Sequence, residues 1–220
     1  MTSISTQTTQ YRYNAIAFDL LTALLDSWSL WNAVAGDDTA GMNWRKKYLE
    51  LTYAAGPYRA YEEIITEAAL QVGLSGKSAA MLLERWDELQ PWPEAPTVLQ
   101  CLASQLPLAV VTNCSDALAE RAVARVGVPF AVIVTAQRAG YYKPMPQPYR
   151  MALAELGIEA PRVLFVAGSP FDIPGAATVG MPVFWHNRMS LPLPVGEITG
   201  PVAVETSLSP LLAFIGHIGA

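Results

Sequence analysis

The sequence predicts an α/β protein built on a mostly parallel sheet, with a helical segment inserted after the first strand. Two observations carry this reading. Short apolar runs recur at 13–18, 108–111, 131–134, 163–166 and 182–185, with helical patterns at 116–126, 148–156 and 170–179 between most of them. Such alternation favours parallel strands with both faces covered. The stretch from about 27 to 89 breaks the alternation: it holds helices and no convincing strand.

The first run ends in Asp19. A short run of this kind reads as a buried strand, and open α/β sheets place their sites at the carboxyl ends of strands. In the helical stretch, apolar residues such as Leu82, Leu83 and Trp86 recur at helical spacing. Gly36, Gly56-Pro57, Gly73 and Gly76 punctuate it into three or four helices, and Pro91, Pro93 and Pro96 mark the return to the main domain. The expected organisation is a polar tail over 1–12, a core of 13–26 and 91–220, and a helical cap over 27–90. A cap excludes water from a site at the strand ends and strengthens electrostatics there. Pro192, Pro194 and Pro201 make 191–201 a loop, and 207–215 is expected as a closing helix with Ser207 as its N-cap.

With 52% hydrophobic and 15% charged residues among 220, the chain reads as a soluble globular protein with a large core. Its net charge of −5 gives no electrostatic case for nucleic acid or an anionic membrane. A single arginine in a pocket can still bind a small anion against that overall sign. Cys101 and Cys114 form neither a disulfide framework nor a zinc site. Cys114 has no histidine nearby in sequence and reads as a packed thiol, and His186 and His217 lack metal-ligand spacing. No apolar stretch of roughly 18 or more residues suggests a membrane span, and the start lacks the basic and apolar regions of a signal peptide. The expected compartment is the reducing cytoplasm.

Four segments carry a resemblance over about 13–188. Phe18-Asp19-Leu20-Leu21-Thr22-Ala23 resembles the first motif of the haloacid dehalogenase (HAD) superfamily, whose first Asp is a nucleophile. The run from Leu108 to Asn113 is similar to the second motif, a strand ending in Ser or Thr. Tyr142-Lys143-Pro144, followed by Tyr149, is similar to the third, whose Lys supports the nucleophile. The run from Val163 to Asp172 is similar to the fourth. Within the superfamily, Trp44-Arg45-Lys46-Lys47-Tyr48-Leu49-Glu50 and Trp185-His186-Asn187-Arg188 resemble segments of the L-2-haloacid dehalogenases (type II). The resemblance implies a Rossmann-like parallel sheet as HAD core with an inserted helical cap. It also suggests a homodimer.

The resemblance implies Asp19, Lys143 and Asp172 as catalytic residues. Arg45, Thr112, Asn113, Leu21, Tyr61 and Ser169 are the expected substrate-binding residues, for a small anionic organic substrate. Arg45 alone would read as a solvated helix-face residue paired with Glu50 or Glu62. Two readings of Asp172 stand: base for a hydrolytic water, or anchor for Lys143 and cap of the following helix. Trp28, Trp31, Tyr58 and Tyr61 line the pocket or pack helices.

Departures narrow the chemistry. The superfamily's magnesium phosphatases carry an acid at the positions of Leu21 and Gly168, so no metal and no cofactor is expected. Asp19 can instead attack carbon and form an ester that water hydrolyses. Opening of a strained ring, such as an azetidine or epoxide carboxylate, would use the same attack. Leu21, Ala23, Ala167, Gly168 and Ser169 all differ from the usual lining. A catalytically silent binding protein therefore stays open, as does, more weakly, a residual phosphatase.

Overall fold

The computed structural model describes residues 12–193 and 200–216. Most of the polar tail, Pro194 and His217 lie outside the described residues. Six strands form one sheet: β1 (Ala15–Phe18), β2 (Leu108–Thr112), β3 (Val132–Thr135), β4 (Val163–Ala167), β5 (Val183–His186) and β6 (Ala203–Glu205). Their order is β3-β2-β1-β4-β5-β6, and every pairing is parallel. The order reverses between β1 and β4, the place where a doubly wound sheet opens a crevice at its carboxyl edge. This is the expected Rossmann-like α/β architecture. β6 falls beyond the apolar runs; its residues are half-buried or exposed, so it lacks the continuous apolar signature of the inner strands.

Side chains on β1 alternate between the two faces. Ile16 and Phe18 join a core layer that continues into the helical segment, and Ala15 and Ala17 join the opposite layer with Val163, Phe165 and Tyr149. The segment after β1 folds as α1 (Ser27–Ala35), α2 (Asp38–Ala54), α3 (Tyr61–Gln71) and α4 (Gly76–Glu84), then one 3₁₀ turn at Arg85–Glu88. Its two ends are pinned together. Asp26 N–H donates to Gln90 C=O at 2.8 Å and Trp92 N–H to Leu24 C=O at 3.0 Å.

The remaining helices cover the sheet: α5 (Ala95–Ala103), α6 (Asp116–Val126), α7 (Ala136–Ala139), α8 (Pro146–Leu156), α9 (Asp172–Thr178) and α10 (Pro210–Gly216). Helix α10 starts three residues later than expected, with proline in the first turn, where its missing N–H costs nothing. The Ser207 hydroxyl accepts from Ser209 N–H in the preceding turn instead. Among the described residues no helix is long and apolar enough to cross a membrane.

Candidate active site

Asp19 follows β1 directly, and the tight turn behind it supplies three donors to one carboxylate oxygen. Thr22 N–H and Thr22 Oγ1–H reach Oδ2 at 2.9 and 2.5 Å, and Ala23 N–H at 3.3 Å. The other oxygen, Oδ1, accepts from Lys143 Nζ at 2.8 Å. Burial alone would raise the carboxyl's pKa; the Lys143 charge and the bonds from Lys143 and Thr22 outweigh it and hold Asp19 below the usual carboxylate value. Asp19 is thus an ionised carboxylate that is only 5% exposed.

Lys143 is itself fully buried and bridges two carboxylates. Its Nζ lies 3.0 Å from Asp172 Oδ1 and 3.2 Å from Oδ2. Burial would lower the Lys143 pKa, but Asp172 and Asp19 together keep it raised. Asn113, just past β2, fixes the lysine's backbone by accepting Lys143 N–H at 2.8 Å. Asp172 opens α9 and also accepts from Tyr149 Oη at 2.9 Å. Burial pushes Asp172 up to about 6 against the pull of Lys143, with the Asp19 charge adding to the rise.

The helical segment contributes α2 side chains to the lining of the site. Arg45, Leu49 and Tyr53 stand four residues apart on α2, hence on one face. With Asp19, Leu21, Thr22, Tyr48, Thr112 and Asn113 they line a cavity of about 10 Å³, about the room that one water needs. Larger hollows, such as the groove along Glu62, Thr66 and Leu70, lie away from Asp19.

Arg45 is 1% exposed, which overturns the solvated-face alternative. Glu50 pairs with Lys47, and Glu62 accepts from Ser115. The guanidinium carbon lies 4.6 Å from the Tyr48 ring centre and 4.7 Å from that of Trp31. Nε donates to Ser27 Oγ at 3.1 Å, while one terminal nitrogen is buried without a hydrogen-bond partner among the described residues. A buried donor left unsatisfied is costly and calls for a ligand.

The structure therefore gathers Asp19, Leu21, Arg45, Thr112 and Asn113 on one cavity wall, with Lys143 and Asp172 behind Asp19. Two expected wall residues are elsewhere. Tyr61 is enclosed edge-on between Tyr48 and Trp86, and the Ser169 hydroxyl turns to Phe171 N–H at 3.3 Å. The sequence reading gave no site role to Thr22, Tyr48, Leu49, Tyr53 and Tyr149. The spacing of Arg45, Leu49 and Tyr53 could have found two of them. Tyr53 matters because its phenol interacts with Asp172 as well as lining the cavity. Cys114 is a packed thiol, its pKa pushed up to about 12 by burial.

A divalent ion does not fit these residues. Both carboxylates are already paired with one ammonium, and among the described residues no group of three or more acids, histidines or cysteines could hold a metal. At Gly168 even a Cβ would lie 2.2 Å from the Thr22 carbonyl carbon and from Ala23 N, so no acid can stand there.

The haloacid dehalogenase-like hydrolase family model matches residues 7–180. The chain belongs to this family. It is 30% identical to the haloacetate dehalogenase of a Moraxella species (strain B), over 80% of this chain and 87% of that protein. To the (S)-2-haloacid dehalogenase of Pseudomonas putida it is 30% identical, over 79% of this chain and 85% of that one. The crystal structure of the L-2-haloacid dehalogenase of Xanthobacter autotrophicus with chloropropionic acid covalently bound superposes with a TM-score of 0.81 at 22% identity, covering 94% of this chain and all of that one. That likeness concerns the fold. As a member of the haloacid dehalogenase-like hydrolases the protein is a hydrolase, and these relatives do not favour ring opening or a silent binding role.

Proposed function

We propose that this hydrolase removes halide from a small 2-haloacid by metal-free covalent catalysis, with the helical segment acting as the cap over its site. One observation carries the reading: an ionised nucleophile, Asp19, and a buried guanidinium with a free donor, Arg45, line the same small cavity. Arg45 binds the substrate carboxylate or the departing halide, and Thr112 and Asn113 complete the polar wall.

Asp19 Oδ1 attacks the carbon that bears the halogen. The carbon–halogen bond breaks, the halide leaves with the bonding pair, and an ester forms on Asp19. Lys143 keeps the nucleophile ionised. Water then attacks the ester carbonyl carbon, and Asp172 takes its proton; a pKa near 6 leaves Asp172 ionised and basic at neutral pH. Tyr53 is a wall residue that interacts with Asp172, which supports a route from the cavity to this base. Negative charge builds on the ester oxygen derived from Oδ2, where the Thr22 and Ala23 donors already point. Collapse breaks the bond between the ester carbonyl carbon and the alkyl oxygen: the 2-hydroxy acid leaves with the proton returned by Asp172, and the second proton of the water passes to solvent as Asp19 becomes a carboxylate again.

Incubation of the full chain with haloacetate, 2-halopropionates of both hands and ring-strained acids tests the reading. Halide release with an ester-sized mass increase on the peptide containing Asp19 is the expected result, and Asp19→Asn, checked for deamidation, should show neither. Turnover with no adduct on Asp19 in any quenched sample would exclude the covalent route.

A further inference from the structure

Three successive carbonyls of the turn after Asp19 each receive a hydrogen bond from a buried side chain, each from a different part of the chain. Ser27 Oγ–H, at the start of α1, donates to Leu21 C=O at 2.6 Å. Trp92 Nε1–H, where the chain returns from the helical segment, donates to Thr22 C=O at 3.1 Å. His186 Nδ1, at the end of β5, lies 2.9 Å from Ala23 C=O. A carbonyl only accepts, so this imidazole carries its proton on Nδ1. Ser27 and His186 are wholly buried and Trp92 is 7% exposed.

We infer that Ser27, Trp92 and His186 are positioning residues that form a three-point carbonyl clamp, fixing the peptide planes whose opposite edges aim the Thr22 and Ala23 amides at Asp19 Oδ2. A peptide unit is planar, so holding a carbonyl also fixes the N–H of the following residue. Gripping Leu21 C=O fixes the Thr22 amide, and gripping Thr22 C=O fixes the Ala23 amide. Those two amides reach Oδ2 at 2.9 and 3.3 Å. The His186 contact stops the next plane from rotating. Gly168 packs against the same turn with no room for a side chain, closing it from the β4 side.

The grips are themselves braced. Arg188 lies over the Trp92 ring at 4.8 Å and bonds Glu94 at 2.9 Å. Glu94 also accepts from Ser207 Oγ and Leu208 N–H, which holds the far side of the Trp92–His186 pair. Ser27 works in two directions: its oxygen donates its proton to Leu21 C=O and accepts from Arg45 Nε. It thereby ties the anion-binding arginine to the nucleophile's turn.

The amides on Oδ2 matter most when that oxygen becomes an oxyanion, so a loosened clamp should slow ester hydrolysis more than ester formation. This inference rests on the covalent reading above. The test uses Trp92→Phe, which keeps a ring and removes the N–H, with His186→Leu and Ser27→Ala. Two readouts are needed: single-turnover kinetics with haloacetate, and amide hydrogen exchange of the peptide spanning 20–24.

In Trp92→Phe and His186→Leu, hydrolysis should slow by about tenfold, the kinetic equivalent of about one hydrogen bond. Adduct should accumulate on Asp19 and KM should stay within about twofold. Ser27→Ala should also raise KM, because Arg45 loses its brace. Exchange at 20–24 should quicken in each variant while the β2 and β4 peptides stay protected. Unchanged hydrolysis in Trp92→Phe, or wild-type exchange at 20–24 in that variant, would overturn the clamp. If His186→Leu fails to fold, Trp92→Phe decides alone. A wild-type protein inert to every haloacid would instead sink the covalent reading, and the exchange arm would still judge the clamp.

Discussion

The Lys143 ammonium and the Asp172 carboxylate stand 3.0 Å apart with neither side chain exposed to solvent. Such a pair is a poor source of net stability, because two charges have left water to make it. Its value lies in placement, since the same ammonium nitrogen is 2.8 Å from the Asp19 oxygen proposed to attack. Tyr149 and Asn113 complete the frame from α8 and β2, so three segments distant in sequence meet at one lysine.

Removing one member of this frame should cost more than removing two. Lys143→Met leaves two buried carboxylates facing each other and should lower stability by about 3–5 kcal/mol. Adding Asp172→Asn should recover part of that loss. Urea denaturation of the singles and the double gives the coupling directly. Simple additivity would mean that the pair is screened by water that enters the site.

The pH profile should separate the roles of Asp172. Its pKa is raised to about 6, so the hydrolytic step should fall with one-proton dependence below about pH 6, as the base is protonated. In Asp172→Asn that limb should vanish and ester should build up on Asp19. If both steps slow and no ester accumulates, Asp172 serves as anchor for Lys143. The effect on stability has the opposite sign. A carboxyl raised above its ordinary 3.8 favours the folded state most when protonated. Its contribution is therefore complete below about pH 3.8 and lost as pH rises through about 6. Asp172→Asn should flatten the stability profile over that window.

Exhaustive chelation should leave turnover unchanged. The ammonium of Lys143 occupies the place between the two acids, and Gly168 cannot carry a third. Halide release measured after EDTA dialysis, with and without added magnesium, checks this. Loss on dialysis with recovery on magnesium would restore the phosphatase-like alternative.

The inner strands were legible from their apolar runs, whereas a lone Asp at a strand end reads equally well as a helix or turn cap, so Asp19 was legible through the accompanying motifs. Lys143 and Asp172 were legible only through motif order, since nothing local marks a lysine before proline as buried. Tyr61 and Ser169 stand outside the cavity lining for physical reasons. An aromatic in a helical segment has the same sequence signature whether it faces a cavity or, as here, another aromatic. A serine at a strand end satisfies the nearest amide first. Nothing in the sequence pointed to the contacts of Trp92 and His186 with the turn, because their partners are backbone carbonyls about 70 and 163 positions away.

Arg45 should show opposite effects on activity and stability. Its guanidinium is buried among Trp28, Trp31 and Tyr48 with one donor that has no partner among the described residues, a placement that costs folding energy. Arg45→Met fills similar space without the charge and should leave the melting temperature unchanged or higher, while turnover of 2-haloacids falls by about a hundredfold or more. Arg45→Lys should recover only a fraction of that loss, because an ammonium lacks the planar fork and cannot reach Ser27 through a second nitrogen. Halide should inhibit the wild type competitively and the Met variant weakly. Thermal unfolding and steady-state kinetics of both variants decide the matter: a clear drop in melting temperature with KM unchanged would make Arg45 a structural residue of α2 and leave the substrate anion to be held by Lys143.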